Sequence, residues 1–120
     1  MKYCSNFEYD LKVGQVKEKE LGEILNNKRI EVKTDLQGAE TGRVFVEYES
    51  RGKKSGISTS KADYYCFIIS EGCFILIKTE ILKTRCRRLL KTDLDVLGGD
   101  NNTSKGILLP ILQILIDVEK

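Results

Sequence analysis

The sequence predicts an α+β fold in which a small mixed β-sheet is flanked by helices. Apolar residues recur at helical spacing in two separate segments, and other segments alternate between apolar and polar residues. Glycine-containing turns separate the alternating segments. The chain has 120 residues, of which 41% are hydrophobic and 32% are charged, so we expect a single domain over residues 1–120.

Helices are predicted at four points of the chain, two of them from helical periodicity. Residues 11–26 form the first helix, and residues 79–91 form a second one with a basic outer side. A closing helix is predicted to start at Pro110, because the missing N–H of proline costs nothing at the first helical position. A short helix is also expected over residues 58–62.

Alternation and β-branched residues predict the strands. They are expected at 28–35, 42–49, 64–69 and 73–77, with a last short strand at 107–109. Residues 36–41 are predicted to be the turn that joins the first two strands into an antiparallel hairpin. The basic segment 51–56 and the polar segment 98–106 are predicted to be loops.

Composition excludes several classes of protein. The absence of histidine excludes Ser-His-Asp and Cys-His catalysis and histidine-ligated zinc. The cysteines contain no C-x-x-C pair, which favours reduced thiols in a cytoplasmic protein; they are Cys4, Cys66, Cys73 and Cys86. The N-terminus lacks the apolar run of a secretory signal, and the longest apolar stretch, 107–116, is too short to span a bilayer.

Charge is distributed unevenly along the chain. Residues 1–50 carry 8 basic and 10 acidic side chains, whereas residues 51–120 carry 12 basic and 8 acidic ones. An acidic half beside a basic half suits a chemistry in which carboxylates bind a metal and cations bind phosphate. Many solvated surfaces have the same distribution.

Glu20 interrupts the apolar stripe of the first predicted helix. It lies four residues after Val16 and four before Ile24, so the three side chains share one helical face. A carboxylate that points toward the sheet needs a cation or a proton, since burying an unpaired charge is costly. The alternative is that Glu20 lies at the edge of the stripe and reaches solvent.

The predicted hairpin brings glutamates together. In one register residue 31 lies opposite 47, and in the other it lies opposite 49, so Glu31 faces another glutamate on the same side of the sheet. Lys33 lies one step along that side. Carboxylate oxygens of this kind suit Mg²⁺ or Mn²⁺. The alternative is a charged hairpin face that is simply solvated, with Lys33 offsetting Glu31.

A cluster of glutamates with a neighbouring lysine supports one reaction in particular. A metal held by carboxylates polarises a phosphodiester and lowers the pKa of a bound water. The lysine positions that water or stabilises the developing negative charge. This chemistry needs no histidine, which agrees with the composition.

The segment IEVKTD followed by TGRVFVEYESRGKKSGISTSKADYY resembles the PD-(D/E)XK nuclease superfamily, and within it small phage-type endonucleases and Holliday-junction-resolvase-like proteins. The resemblance covers residues 7–78, with Ile30–Tyr65 as its most specific part. It implies a restriction-endonuclease-like fold and a Mg²⁺-dependent DNA endonuclease that cuts duplex or branched DNA. It also implies that Glu20, Glu31 and Glu47 hold the metal, with Lys33 and Glu20 taking part in catalysis.

The resemblance leaves two assignments open, because no acidic residue precedes the E-x-K string on its strand. In the first, Glu31 takes the place of that earlier acid, Glu47 is the next ligand and Lys33 is a migrated lysine. In the second, Asp35 serves together with Glu47 and Glu49 as a degenerate motif. The first assignment is preferred, since either hairpin register places Glu31, Lys33 and Glu47 close together.

The basic segment after the second strand is the expected DNA contact. Its candidate phosphate-binding residues are Arg51, Lys53, Lys54 and Lys61. A homodimer is expected, with the apolar segment 107–116 as a candidate interface. The alternative function is a catalytically inactive nucleic-acid-binding or assembly protein with the same fold.

Overall fold

A computed structural model describes the backbone of residues 7–117, with all side chains in that range except those of residues 7–10 and 100. The helices are α1 (Phe7–Asn27), α2 (Gly38–Thr41), α3 (Thr79–Arg87) and α4 (Ile111–Leu115), with 3₁₀ turns at Gly56–Ser58 and Asp100–Asn102. The strands are β1 (Ile30–Thr34), β2 (Arg43–Ser50), β3 (Lys53–Lys54), β4 (Tyr64–Ser70), β5 (Cys73–Lys78), β6 (Asp95–Gly98) and β7 (Ser104–Pro110). Within residues 7–117, no helix is long and apolar enough to cross a membrane.

The strands form two sheets rather than one. The first has the order β1-β4-β5, with β1 parallel to β4 and β5 antiparallel to it. The second has the order β3-β2-β7-β6 and is antiparallel throughout. The α+β class is therefore confirmed, with mixed and antiparallel sheets flanked by helices.

The predicted hairpin between the first two strands is wrong. β1 pairs with β4, and β2 pairs with β7, so Glu31 lies beside Tyr65 and not beside a glutamate of β2. The connection holds the one-turn helix α2 instead of a tight turn. The pairing with β7 places Ile107 opposite Val46 with both side chains buried, and burial of this apolar pair favours the observed arrangement.

One hydrophobic core joins the two sheets with α3 and α4. Its fully buried members include Val44, Tyr65, Phe67, Leu82 and Leu109. Ile107 and Ile114 are also buried, so much of the apolar segment proposed as a dimer interface packs inside its own chain. Only the α4 end of that segment is open, where Leu112, Leu115 and Ile116 are exposed.

The sequence predicts a loop over the polar segment 98–106, and this is wrong. The segment includes the end of β6 and the start of β7. Glycine is what permits this, because a Cβ on Gly106 would overlap the ring of Phe45 and crowd the carbonyl of Val46. The glycine in this segment therefore permits a side chain to pack closely on the sheet. Glycine-rich composition is also typical of loops, which is why the sequence predicts a loop here. The short helix expected at 58–62 is also absent, and the chain turns earlier, at Gly56–Ser58.

Candidate functional site

The edge strand β1 turns its charged side chains toward the interior side of its sheet. Glu31 and Lys33 are in register with Tyr65 and Phe67 of β4, both buried in the core, and in-register neighbours share a face. Val32 points the other way and is 54% exposed. The charged side chains of β1 therefore lie on the same face as the core residues of β4, although both remain partly exposed to solvent.

Glu31 and Lys33 form an ion pair at the open end of this face. Their Oε2 and Nζ atoms are 3.6 Å apart, and both side chains are about half exposed. The pKa of the neighbouring Tyr65 hydroxyl is raised, mainly by burial and further by the negative charge of Glu31, while a hydrogen bond with Ser60 opposes the rise. Because the tyrosine keeps its proton, it remains a neutral wall of the site and a hydrogen-bonding group.

Glu47 reaches the same region from β2, in the other sheet. The hydroxyl of Ser55 donates a hydrogen bond of 2.8 Å to its Oε2 atom. Within residues 11–99 and 101–117, no hydrogen bond or ion pair involves the other carboxylate oxygen, Oε1. One oxygen is therefore fixed in position, and the other is free to bind a ligand.

Gly56 fixes the backbone behind Glu47. It has a φ of +53°, and a Cβ at this position would overlap the carbonyl oxygen of Glu47. Only glycine adopts this conformation readily and also allows so close an approach. The Ser55-Gly56 pair therefore positions Glu47 twice, once through its carboxylate and once through its main chain.

A cleft of about 270 Å³ lies between β1 and β2, and Glu31 and Ser55 are bonded to residues that line it. Lys33, Glu47 and Gly56 line it together with an apolar wall of Phe45, Val46, Ile57, Tyr65 and Phe67, and with Gly99. β1 lies at the edge of its sheet, and β2 up to Glu47 pairs only with β7. The cleft thus lies between two edge strands, with an ammonium from one and a carboxylate from the other.

Glu20 does not join this cleft. Its carboxylate is 48% exposed and lies 3.3 Å from the ammonium of Lys17 on the surface of α1. The prediction that it points toward the sheet is wrong, because among the described side chains of α1 only Ile24 is buried. Among the described residues, no three acidic, cysteine or histidine side chains group in a way that could hold a metal ion.

Asp35 and Glu49, the alternative ligands, have other partners. The Oδ1 atom of Asp35 accepts the N–H of Gln37 at 3.2 Å, which shapes the turn before α2. Glu49 pairs with Lys105 at 3.5 Å. Neither Asp35 nor Glu49 lines the cleft, and of the residues in the other assignment Lys33 and Glu47 line it while Glu31 does not.

The basic segment predicted as a loop forms a hairpin. Arg51 and Gly52 both have positive φ, of 52° and 79°, which is the backbone of a tight two-residue turn. Lys53 and Lys54 then pair with the end of β2 as strand β3. All four predicted phosphate-binding residues are exposed, including Lys61 in the segment before β4.

Sequence reasoning did not identify Gly56 and Tyr65 as residues of the cleft, or Ser55 as the residue that holds Glu47. The sequence places Ser55 and Gly56 in a basic loop, and it favours a core strand over a base-stacking surface for Tyr65. The available signal was the Ser-Gly pair directly after a charged strand, since such glycines mark a close approach of two backbones. Tyr65 had no local signal, because its place depends on the parallel pairing of β4 with β1.

Comparison of the chain with models of protein families, with curated proteins and with solved structures finds no match.

Proposed function

We propose that the protein is a Mg²⁺-dependent DNA endonuclease whose reaction centre is the cleft between β1 and β2. The observation that carries this proposal is that Lys33 and Glu47, from two different sheets, line one cleft, with Glu31 paired to the lysine. The resemblance to the PD-(D/E)XK nucleases implies these three residues together with Glu20, which lies on the surface of α1. Fold type, DNA substrate and homodimeric assembly are parts of the same proposal.

The proposed magnesium site has two candidate carboxylate ligands, Glu47 and Glu31. Mg²⁺ is usually bound by one or two carboxylates, with water and substrate phosphate completing its shell, so a cage of three protein ligands is not required. Glu47 offers the free Oε1 atom, and Glu31 offers a carboxylate beside the cleft. When bound, the ion would supply Lewis-acid activation of a phosphodiester.

The protein's own side chains have three further roles in the proposed reaction. Lys33 is half exposed and has only Glu31 as an ionic partner among the described residues, so its ammonium can turn toward a phosphate oxygen. Phe45, Tyr65 and Phe67 form an apolar wall that limits the access of bulk water to one side. Ser55 holds the Glu47 carboxylate in its orientation.

The basic hairpin is the proposed binding surface for the part of the DNA strand that lies outside the cleft. Arg51, Lys53 and Lys54 follow the strand that carries Glu47, and all three are exposed. Cations on a rigid turn near the reaction centre bind phosphates without reading sequence. These cations are proposed to raise the affinity for DNA. Replacing them is expected to weaken DNA binding and to make that binding less dependent on salt concentration.

A nicking assay on supercoiled plasmid and on a four-way junction tests the proposal. We expect cleavage with Mg²⁺ or Mn²⁺ and none with EDTA. Glu31→Gln, Glu47→Gln and Lys33→Met are each expected to lower the rate at least about 100-fold, the size usual for loss of one transition-state contact. Glu40→Gln, an exposed residue between the same strands, is the matched control and keeps the rate.

Two outcomes would contradict the proposal. Cleavage at the normal rate by the Lys33 and Glu47 variants would show that the cleft does not carry out the reaction. DNA binding without any cleavage, unaffected by divalent ions, would support the alternative of an inactive nucleic-acid-binding protein.

A further inference from the structure

A second cavity, distinct from the cleft, lies on the other side of the 3₁₀ turn that contains Ile57. Its volume is about 280 Å³, at the lower end of the range for small-molecule sites. Three cationic side chains line it, Lys54 from β3 and Lys83 and Arg87 from α3. No carboxylate lines it, so its walls carry a formal charge of three positive units.

These cations are largely free to bind a ligand. Within residues 11–99 and 101–117, neither Lys54 nor Arg87 has an ion-pair partner, and the cross-strand neighbour of Lys54, Glu49, pairs with Lys105 instead. Lys83 lies 3.9 Å from Glu80, whose side chain is 88% exposed, so this pair is weak. The neighbouring Arg85 is used internally, since it donates to the carbonyls of Gln113 and Ile116.

The floor of the cavity is apolar. It consists of the buried side chains of Ile57, Cys86 and Ile107, with the half-exposed Leu90 at one side and Tyr48 at the wall. The pKa of the Cys86 thiol is raised to about 12 by burial, so it is neutral and belongs to the apolar surface. The Tyr48 hydroxyl donates to Asp95 at 2.6 Å, which holds the ring in place.

We propose that this cavity binds a nucleotide, with its phosphate among Lys54, Lys83 and Arg87 and its base against the apolar floor. A phosphate accepts bonds from a guanidinium and two ammonium groups at once. A planar base suits a floor of aliphatic side chains beside a fixed aromatic ring. The nucleotide is either free or part of a strand, and both sources present the same chemistry.

Binding measurements in EDTA test this site, because no metal-dependent cleavage takes place under these conditions. The result therefore does not depend on whether the nuclease proposal is correct. The probes are AMP, adenosine and inorganic phosphate by calorimetry, and a labelled decathymidylate by fluorescence anisotropy at low salt. Lys54→Gln, Lys83→Gln and Arg87→Gln are each expected to weaken nucleotide binding roughly tenfold, as for loss of one charge-assisted hydrogen bond. Lys19→Gln on α1 removes the same charge outside the cavity and is expected to change binding less than about twofold.

Leu90→Ala separates a nucleotide site from a plain phosphate site. It shortens the apolar floor, so AMP binding is expected to weaken while binding of inorganic phosphate stays the same. Binding of AMP alone identifies a free nucleotide as the ligand, binding of the oligonucleotide alone identifies a strand, and either supports the proposal. Binding of neither, equal binding by the three cation variants and the control, or phosphate binding as tight as AMP binding would overturn it.

Discussion

At the scale of single residues, the position of Glu47 depends on Gly56. The glycine combines a left-handed φ of +53° with a backbone contact that leaves no room for a Cβ. We expect Gly56→Ala to destabilise the protein by roughly 1–3 kcal/mol and to impair the cleft, since strain and overlap act together. Chemical denaturation measures the first effect, and the nicking rate measures the second.

Gly22→Ala is the control for that substitution. Gly22 lies inside α1 with helical backbone, and nothing lies within 4 Å of the position of its Cβ. Alanine is the better helix former, so this change is expected to stabilise by roughly 0.5–1 kcal/mol. A Gly56→Ala protein as stable as wild type would contradict the close contact with Glu47.

Cysteine reactivity tests burial at the same scale. Burial raises the pKa of Cys86 to about 12 and also raises that of Cys66, whereas Cys73 is exposed. At neutral pH, iodoacetamide is therefore expected to modify Cys73 and to leave Cys86 intact until the protein unfolds. Mass spectrometry of the alkylated peptides gives the order directly, and early modification of Cys86 would contradict the packing of α3.

At the scale of elements, the sequence predicts most helices and strands but not the partners of β1 and β2. Alternation identified the charged face of residues 30–34, because it is a local property. Each β1 residue pairs with a β4 residue 34 positions further along the chain, and local alternation carries no information about such distant partners. The predicted hairpin is therefore wrong, and Lys33 and Glu47 line one cleft without it.

The inverted orientation of β1 is testable by matched substitutions. Val32 is 54% exposed, whereas Val46 of β2 is 3% exposed. Val32→Thr is expected to change the free energy of unfolding by less than about 0.5 kcal/mol, while Val46→Thr is expected to cost roughly 1–3 kcal/mol because it buries a hydroxyl. Equal costs would show that Val32 faces the core and that Glu31 and Lys33 face solvent.

At the scale of the whole molecule, one hydrogen bond links β2 to β6 and makes stability depend on alkaline pH. The bond from Tyr48 to Asp95 is the main cause that raises the pKa of Tyr48 from 10.0 to about 12, followed by burial. The folded state thus keeps a proton that the unfolded chain loses first. The stabilisation is complete below pH 10 and disappears as the pH rises toward 12.

Tyr48→Phe removes this titration. We expect the free energy of unfolding of the wild type to fall more steeply than that of the variant between about pH 10 and 12. Urea denaturation across this range measures both slopes. Parallel slopes would show that the phenol is not held by Asp95.

The central claim is that the cleft between β1 and β2 carries out metal-dependent cleavage of DNA. The most direct measurement is the initial rate of plasmid nicking in Mg²⁺ by Glu47→Gln relative to Glu40→Gln, with equal folding of the two variants verified by circular dichroism. A ratio of about 0.01 or lower is predicted, because Glu47 lines the cleft and Glu40 does not. A ratio near one would contradict the claim.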